Sequence, residues 1–196
     1  VTAVIEAVRG AAIRPHLADL AALRIEVFRE FPYLYEGTVA YEEGYLAGYA
    51  ASPDSLVVLA RDGDVIVGAA TAMPLTLHGD DVAPTLRVGG YDPAAVYYFG
   101  ESVLRASHRG RGLGHVFLDQ REAAARRLGY RVAAFCALER PVDHPRRPAG
   151  YRPLDGLWQR HGFVRRPDLV ATFTWKDLDE PQERPKPMVC WIKELT

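Results

Sequence analysis

The chain has 196 residues, 48% hydrophobic and 25% charged, with a formal net charge of −1. That length suits a single domain over 1–196 with a proper core, and the charge balance excludes a general nucleic-acid binder, which needs a basic excess to meet phosphates. No apolar run approaches the roughly 20 residues of a membrane span, and the opening "VTAVIEAVRG" lacks a signal-peptide pattern, so a cytoplasmic chain without membrane partner is expected.

Residues 3–9 read as an opening strand, and Leu17, Leu20, Leu23 and Val27 recur at helical spacing over about 15–29. Pro32 and Gly37 break that helix in "EFPYLYEG". Tyr41, Tyr45 and Tyr49 then share one face of a second helix. Two β-branched runs around "RDGD" give a hairpin. Residues 78–95, rich in proline, glycine and acids, read as a long surface loop. "AVYYFGESVL" is a strand, and "LGHVFLDQREAAARRLG" a helix with Leu113, Phe117, Ala124 and Leu128 in one stripe. "RVAAFCAL" is an apolar, central strand. The proline-rich "ERPVDHPRRPAGYRP" is long enough to suggest function. "LDGLWQRHGF" is a short helix closing on Gly162, and "LVATFTWKDL" and "PMVCWIKEL" are the last strands. The class is α/β (α+β), in the order β-α-α-β-β-β-α-β-α-β-β.

"HRGRGLGHVF", from His108 to Phe117, sits between a strand and a helix. Backbone N–H groups at a helix start, with the dipole behind them, suit phosphate; Arg109 and Arg111 add charge-assisted bonds. A P-loop would need Lys-Ser/Thr after its glycines, and here Gly114 is followed by His115 and Val116. A dinucleotide fold needs Gly-x-Gly-x-x-Gly and an acid about 20 residues on; the spacing here is Gly-x-Gly-x-Gly, and Glu139 comes too late.

Arg109-x-x-Gly112-x-Gly114, after a strand and opening a helix, resembles the pyrophosphate loop of the GNAT superfamily of N-acetyltransferases. "LWQRHGF" resembles that family's later helix, and the resemblance runs from about residue 3 to 194. It implies a mixed, mostly antiparallel central sheet flanked by helices. It also implies acetyl-CoA as acyl donor, held by Val103, Leu104, Arg105, Arg109, Gly110, Arg111, Gly112, Leu113, Gly114 and His115. The expected reaction moves an acetyl group to a primary amine by direct attack in a ternary complex. Transfer of a longer acyl group, or a catalytically impaired CoA-binding sensor or interaction module, is the alternative.

Such chemistry needs a base for the amine, an oxyanion donor and a proton for the thiolate. Glu101, eight residues before Arg109, stands where many family members carry an acid and is the candidate base; a solvated or salt-bridged strand glutamate is the other reading. The family's thiolate-protonating tyrosine is replaced by Trp158. Tyr151, His144 or solvent could substitute. Tyr33 and Tyr35, in the proline-broken connector, are candidate acceptor contacts. The helical tyrosines fit an aromatic core stripe equally well.

Arg146 and Arg147 either are solvated, or reach the cofactor's 3′-phosphate, or select an acceptor bearing a carboxylate or phosphate. Cys136 reads as a small core residue, and His108 and His115 as phosphate contacts or exposed side chains. Cys136 and Cys190 lack metal-type spacing, so no metal and no disulfide framework are expected. A homodimer is compatible with the sequence but not derivable from it.

Overall fold

The computed structural model describes residues 3–79 and 81–195. Seven strands form one sheet: β1 (Val4–Val8), β2 (Leu56–Asp62), β3 (Val65–Pro74), β4 (Val96–Leu104), β5 (Val132–Leu138), β6 (Val164–Trp175) and β7 (Arg184–Glu194). The helices are α1 (Leu17–Phe28), α2 (Val39–Ala51), α3 (Ala83–Val88), α4 (Leu113–Arg127) and α5 (Asp155–Arg160). Strand order across the sheet is β1-β2-β3-β4-β5-β7-β6. Every neighbouring pair is antiparallel except β4 and β5, which are parallel. A parallel pair needs a crossover, and α4 supplies it.

Helices cover both faces. Successive residues of a strand point to opposite sides, and β2 divides accordingly. Leu56, Val58 and Ala60 join Phe117, Leu118, Ala124 and Ala125 of α4, with Leu157 and Trp158 of α5 packed on the same layer. Val57 and Leu59 face the other way, onto Leu20 and Leu23 of α1 and Leu46 and Tyr49 of α2. β5 is buried along its whole length, as its unbroken apolar run requires.

The 78–95 stretch differs from the surface loop expected of it. It contains α3, with Val82 and Leu86 fully buried against β5 to β7. Pro84 sits in the first turn, where a missing N–H costs nothing, and the four-residue spacing of Val82 and Leu86 places both on one face. The element order therefore gains one short helix between β3 and β4. No helix among the described residues is long and apolar enough to cross a membrane.

Two departures from regular sheet build the site. β4 and β5 pair only from Val96↔Val132 to Tyr98↔Ala134, so the ladder stops short of the C-terminal halves. Against β3, the register shifts between Ala70↔Ser102 and Ala72↔Phe99. Gly100 and Glu101 thus bulge opposite Thr71, which re-aims a side chain out of the ladder. A Cβ on Gly100 would lie 2.2 Å from Tyr49 Oη and 2.5 Å from Thr71 Oγ1, so any larger residue would push both hydroxyls out of place.

Candidate active site

Glu101 leaves the bulge with its side chain only 8% exposed. Its Oε1 is ion-paired with Arg24 of α1, and its Oε2 accepts a hydrogen bond from Tyr45 Oη at 3.1 Å. Arg24 is also held by Glu42 of α2, whose side chain is fully buried. Burial pulls the Arg24 guanidinium down, but nearby negative charge, that of Glu101 first, outweighs it and holds its pKa above the usual arginine range. Arg24 is therefore permanently charged. Its guanidinium also lies over the Tyr45 ring, 4.5 Å from the centroid.

A directed hydrogen-bond chain ends on Glu101. Tyr45 has one proton, given to the carboxylate, so Tyr49 Oη at 3.0 Å and His78 Nε2 at 3.3 Å donate to it. Thr71 Oγ1 accepts from the Glu101 N–H at 3.2 Å. Burial, then the Glu101 charge, keeps the Tyr45 hydroxyl well above its usual pKa. Burial, then Arg24, pushes His78 down to about 4. Both are neutral near pH 7.

Behind the bulge, Arg121 of α4 is buried and hydrogen-bonds the Glu101 carbonyl at 3.2 Å, Ser102 Oγ at 2.8 Å and the Thr71 carbonyl at 3.4 Å. Burial lowers its pKa to about 10, which still leaves it charged at neutrality. It fixes the bulge that carries Glu101.

Glu101, Arg24 and Tyr45 line a cavity of about 390 Å³ together with Tyr33, Tyr35 and Trp175. The connector after α1 is laced to the end of β6. Tyr35 pairs with Asp177, the Glu36 N–H donates to the Lys176 carbonyl at 2.9 Å, and the Leu178 N–H to the Leu34 carbonyl at 2.7 Å. Arg140 secures it from the proline-rich loop, donating to the Pro32 and Tyr33 carbonyls at 2.8 and 3.0 Å and pairing with Asp177 at 2.7 Å. A second hollow, beside Gly162 and Lys193, shares no residue with this cavity.

The glycine loop follows β4 closely. Gly110 and Gly112 have φ of 74° and 82°, and a Cβ on either would meet nothing within 4 Å. Both are glycine for backbone conformation, and the space beside them is open to a ligand. Gly112 caps α4, so the N–H groups of Leu113 and Gly114 have no intrahelical acceptor. Gly114 has a different reason. A Cβ there would lie 3.1 Å from Leu157 Cδ2, so its absence lets α5 approach.

The other predicted loop residues divide. Arg105 pairs with Glu26 at 2.9 Å, Arg109 with Glu30 at 2.6 Å, and Arg111 donates to the Ser107 carbonyl at 2.8 Å. Val103 is buried against α1 and α2, while beyond Tyr98 the β4 edge carrying Val103 and Leu104 has no β5 partner. His115 Nδ1 lies 2.8 Å from His161 Nε2, and His108 meets Asp62 at 3.1 Å.

Tyr151 and His144 pack on Phe31, with ring centroids at 4.7 and 5.5 Å, and neither lines the cavity. Arg147 lies 4.9 Å over the Tyr151 ring, and Arg146 pairs with Asp179 at 3.3 Å. They too lie off the lining. Trp158 belongs to an aromatic cluster, 5.0 Å from both Phe135 and Trp191. Cys136 faces Cys190 across the ladder, with sulfurs 3.4 Å apart; that hydrogen bond and burial hold its thiol well above the usual range. No group of three His, Cys, Asp or Glu among the described residues could hold a metal ion.

Arg24, Glu42, His78 and Arg121 are site residues that sequence reading missed. For Arg121 a signal existed: it falls four residues after Phe117 and three before Ala124, a charge within the apolar stripe.

The family model described as "Acetyltransferase (GNAT) family" matches residues 20–163, and the chain belongs to that family. In fold it is similar to an N-acetyltransferase of Staphylococcus aureus, with a TM-score of 0.63, 14% identity and all of both chains covered. It is likewise similar to a ribosomal-protein-alanine N-acetyltransferase of Brucella melitensis, with a TM-score of 0.63, 14% identity and 98% of this chain and 99% of that one covered. A Salmonella typhimurium protein assigned as an acetyltransferase and solved with its cofactor acetyl-CoA aligns at a TM-score of 0.60, with 13% identity and 100% and 95% covered. No curated protein matches the chain in sequence.

Proposed function

We propose that this protein transfers the acetyl group of acetyl-CoA to a primary amine, by direct attack in a ternary complex. The observation that carries the reading is Glu101, a buried carboxylate lining the cavity, on the stretch of β4 that has no β5 partner. The glycine loop follows the end of the same strand, so one strand serves both the donor side and the acceptor side.

Gly110, Gly112 and the N–H groups opening α4 fit a pyrophosphate, because the space beside both glycines is open and the helix start brings unpaired backbone donors and the positive end of the dipole next to it. The β4 edge beyond Tyr98 offers backbone groups to an extended arm. Acetyl-CoA, when bound, supplies the activated acyl group. Glu101 takes the proton of the attacking amine, directly or through water, while Tyr45 and Arg24 hold the carboxylate in place. The amine nitrogen gains its bond to the acetyl carbon as the carbon–sulfur bond breaks. A thiol has an ordinary pKa of about 8.5, so water suffices to protonate the leaving thiolate where Trp158 offers no acidic proton.

The sensor reading keeps one observation in its favour, the packing of Trp158 into the aromatic core. Free-thiol release from acetyl-CoA with an amine panel separates the two. A catalyst releases thiol in step with amine; a sensor binds acetyl-CoA and releases none.

A further inference from the structure

The cavity beside Glu101 has a wall of aromatic rings. Phe28 ends α1, Tyr33 and Tyr35 stand in the connector after it, and Trp175 ends β6; all four line the cavity. Their rings form one continuous surface. The Phe28 centroid lies 4.7 Å from that of Tyr33 and 6.4 Å from that of Tyr35, and the Tyr33 centroid lies 6.1 Å from that of Trp175. The wall is fixed by the protein's own bonds, so little order is lost when a ligand meets it. The Trp175 indole N–H donates to the Tyr33 carbonyl at 3.3 Å and to Asp177 Oδ1 at 2.9 Å, while Arg140 holds the Pro32 and Tyr33 carbonyls. With that N–H used inside the protein, Trp175 offers a ligand only its ring.

The charges on the lining oppose an acid. Among the described residues they are four carboxylates, of Glu36, Asp81, Glu101 and Glu183, against the cations of Arg24 and Lys176. Arg24 is shared between Glu42 and Glu101, and its guanidinium lies 5.0 Å from the Phe28 centroid and 4.5 Å from that of Tyr45. Lys176 is paired with Glu36. A carboxylate entering here would shed water and meet only cations already engaged.

We propose that the acceptor is an aromatic primary amine without an acid group, its nitrogen beside Glu101 and its ring against Phe28, Tyr33 and Trp175. A cavity of about 390 Å³ suits a small molecule of that kind. This rests on the acetyl-transfer reading for its chemistry, but the preference for a ring and against a carboxylate can be measured without turnover.

The test is calorimetric titration of 2-phenylethylamine, ethylamine and phenylalanine into the protein with CoA present, with thiol release from acetyl-CoA measured in parallel. Ethylamine lacks the ring; phenylalanine adds only a carboxylate. 2-Phenylethylamine should bind roughly tenfold tighter than ethylamine, the scale of taking one aromatic ring out of water. It should also bind roughly tenfold tighter than phenylalanine, whose carboxylate loses hydration without gaining a partner. Trp175→Leu, on β6, and Tyr33→Leu, on the connector, should each cut the margin over ethylamine several-fold, with melting curves to establish that each variant folds. Equal affinities for 2-phenylethylamine and ethylamine, phenylalanine binding as tightly as 2-phenylethylamine, no binding of any of the three, or a margin untouched by both variants would each overturn the inference, even where another amine releases thiol. Ring-selective binding without thiol release leaves the ligand class standing and removes the acetyl-transfer reading instead.

Discussion

Glu101 is held at both oxygens, by a guanidinium on one and a tyrosine hydroxyl on the other. Exchanging it for glutamine keeps the size and removes the proposed base. Glu101→Gln should lower kcat by about a hundredfold or more and leave acetyl-CoA affinity near wild type, as read by thiol release and calorimetry. His78, one step further out, gives a pH signature. Burial pushes it down to about 4, from 6.5 in the unfolded chain, so between those values the unfolded state binds the extra proton. Stability from this group is full above pH 6.5 and falls as pH drops toward 4. The loss amounts to about 3 kcal/mol. His78→Gln should flatten that part of the stability profile in urea unfolding, and an unchanged profile would contradict the buried, neutral histidine.

Among elements, the glycine loop separates two functions between Gly110 and Gly114. Gly112→Val strains a left-handed backbone, but its Cβ meets no atom within 4 Å, so the protein should stay folded while the side chain fills the space proposed for pyrophosphate. The roughly 2.7 kcal/mol stabilisation expected at a hundredfold excess of acetyl-CoA over its Kd should then vanish, read as a lost melting shift. Gly114 instead spaces α4 from Leu157 and belongs to the packing. The loop was legible in the sequence because its glycines fall between a clear strand and a clear helix. α3 was not, because Pro84 and the flanking glycines imitate a loop while the helix has only six residues. Arg24, Glu42 and Arg121 were hidden for a further reason. Charged residues are seldom buried, and Arg24 finds Glu42 and Glu101 at distances of 18 and 77 positions, which no local pattern reveals.

At the scale of the molecule, the short β4–β5 ladder is what would join donor and acceptor in the proposed transfer. A ladder running the full length of both strands would close the edge beside Glu101. The bulge is held from both faces of the sheet: α4 clamps it through Arg121, and α1 and α2 meet it through Arg24 and Tyr45. Cys136, the one nucleophile on β5, is kept as a thiol by its hydrogen bond with Cys190 and by burial, which argues against an acetyl group resting on it. Initial rates of thiol release, measured over a grid of acetyl-CoA and acceptor-amine concentrations, test this most directly. Direct transfer in a ternary complex predicts intersecting double-reciprocal lines; parallel lines, the mark of an acetyl-enzyme, or no thiol release with any amine would contradict it.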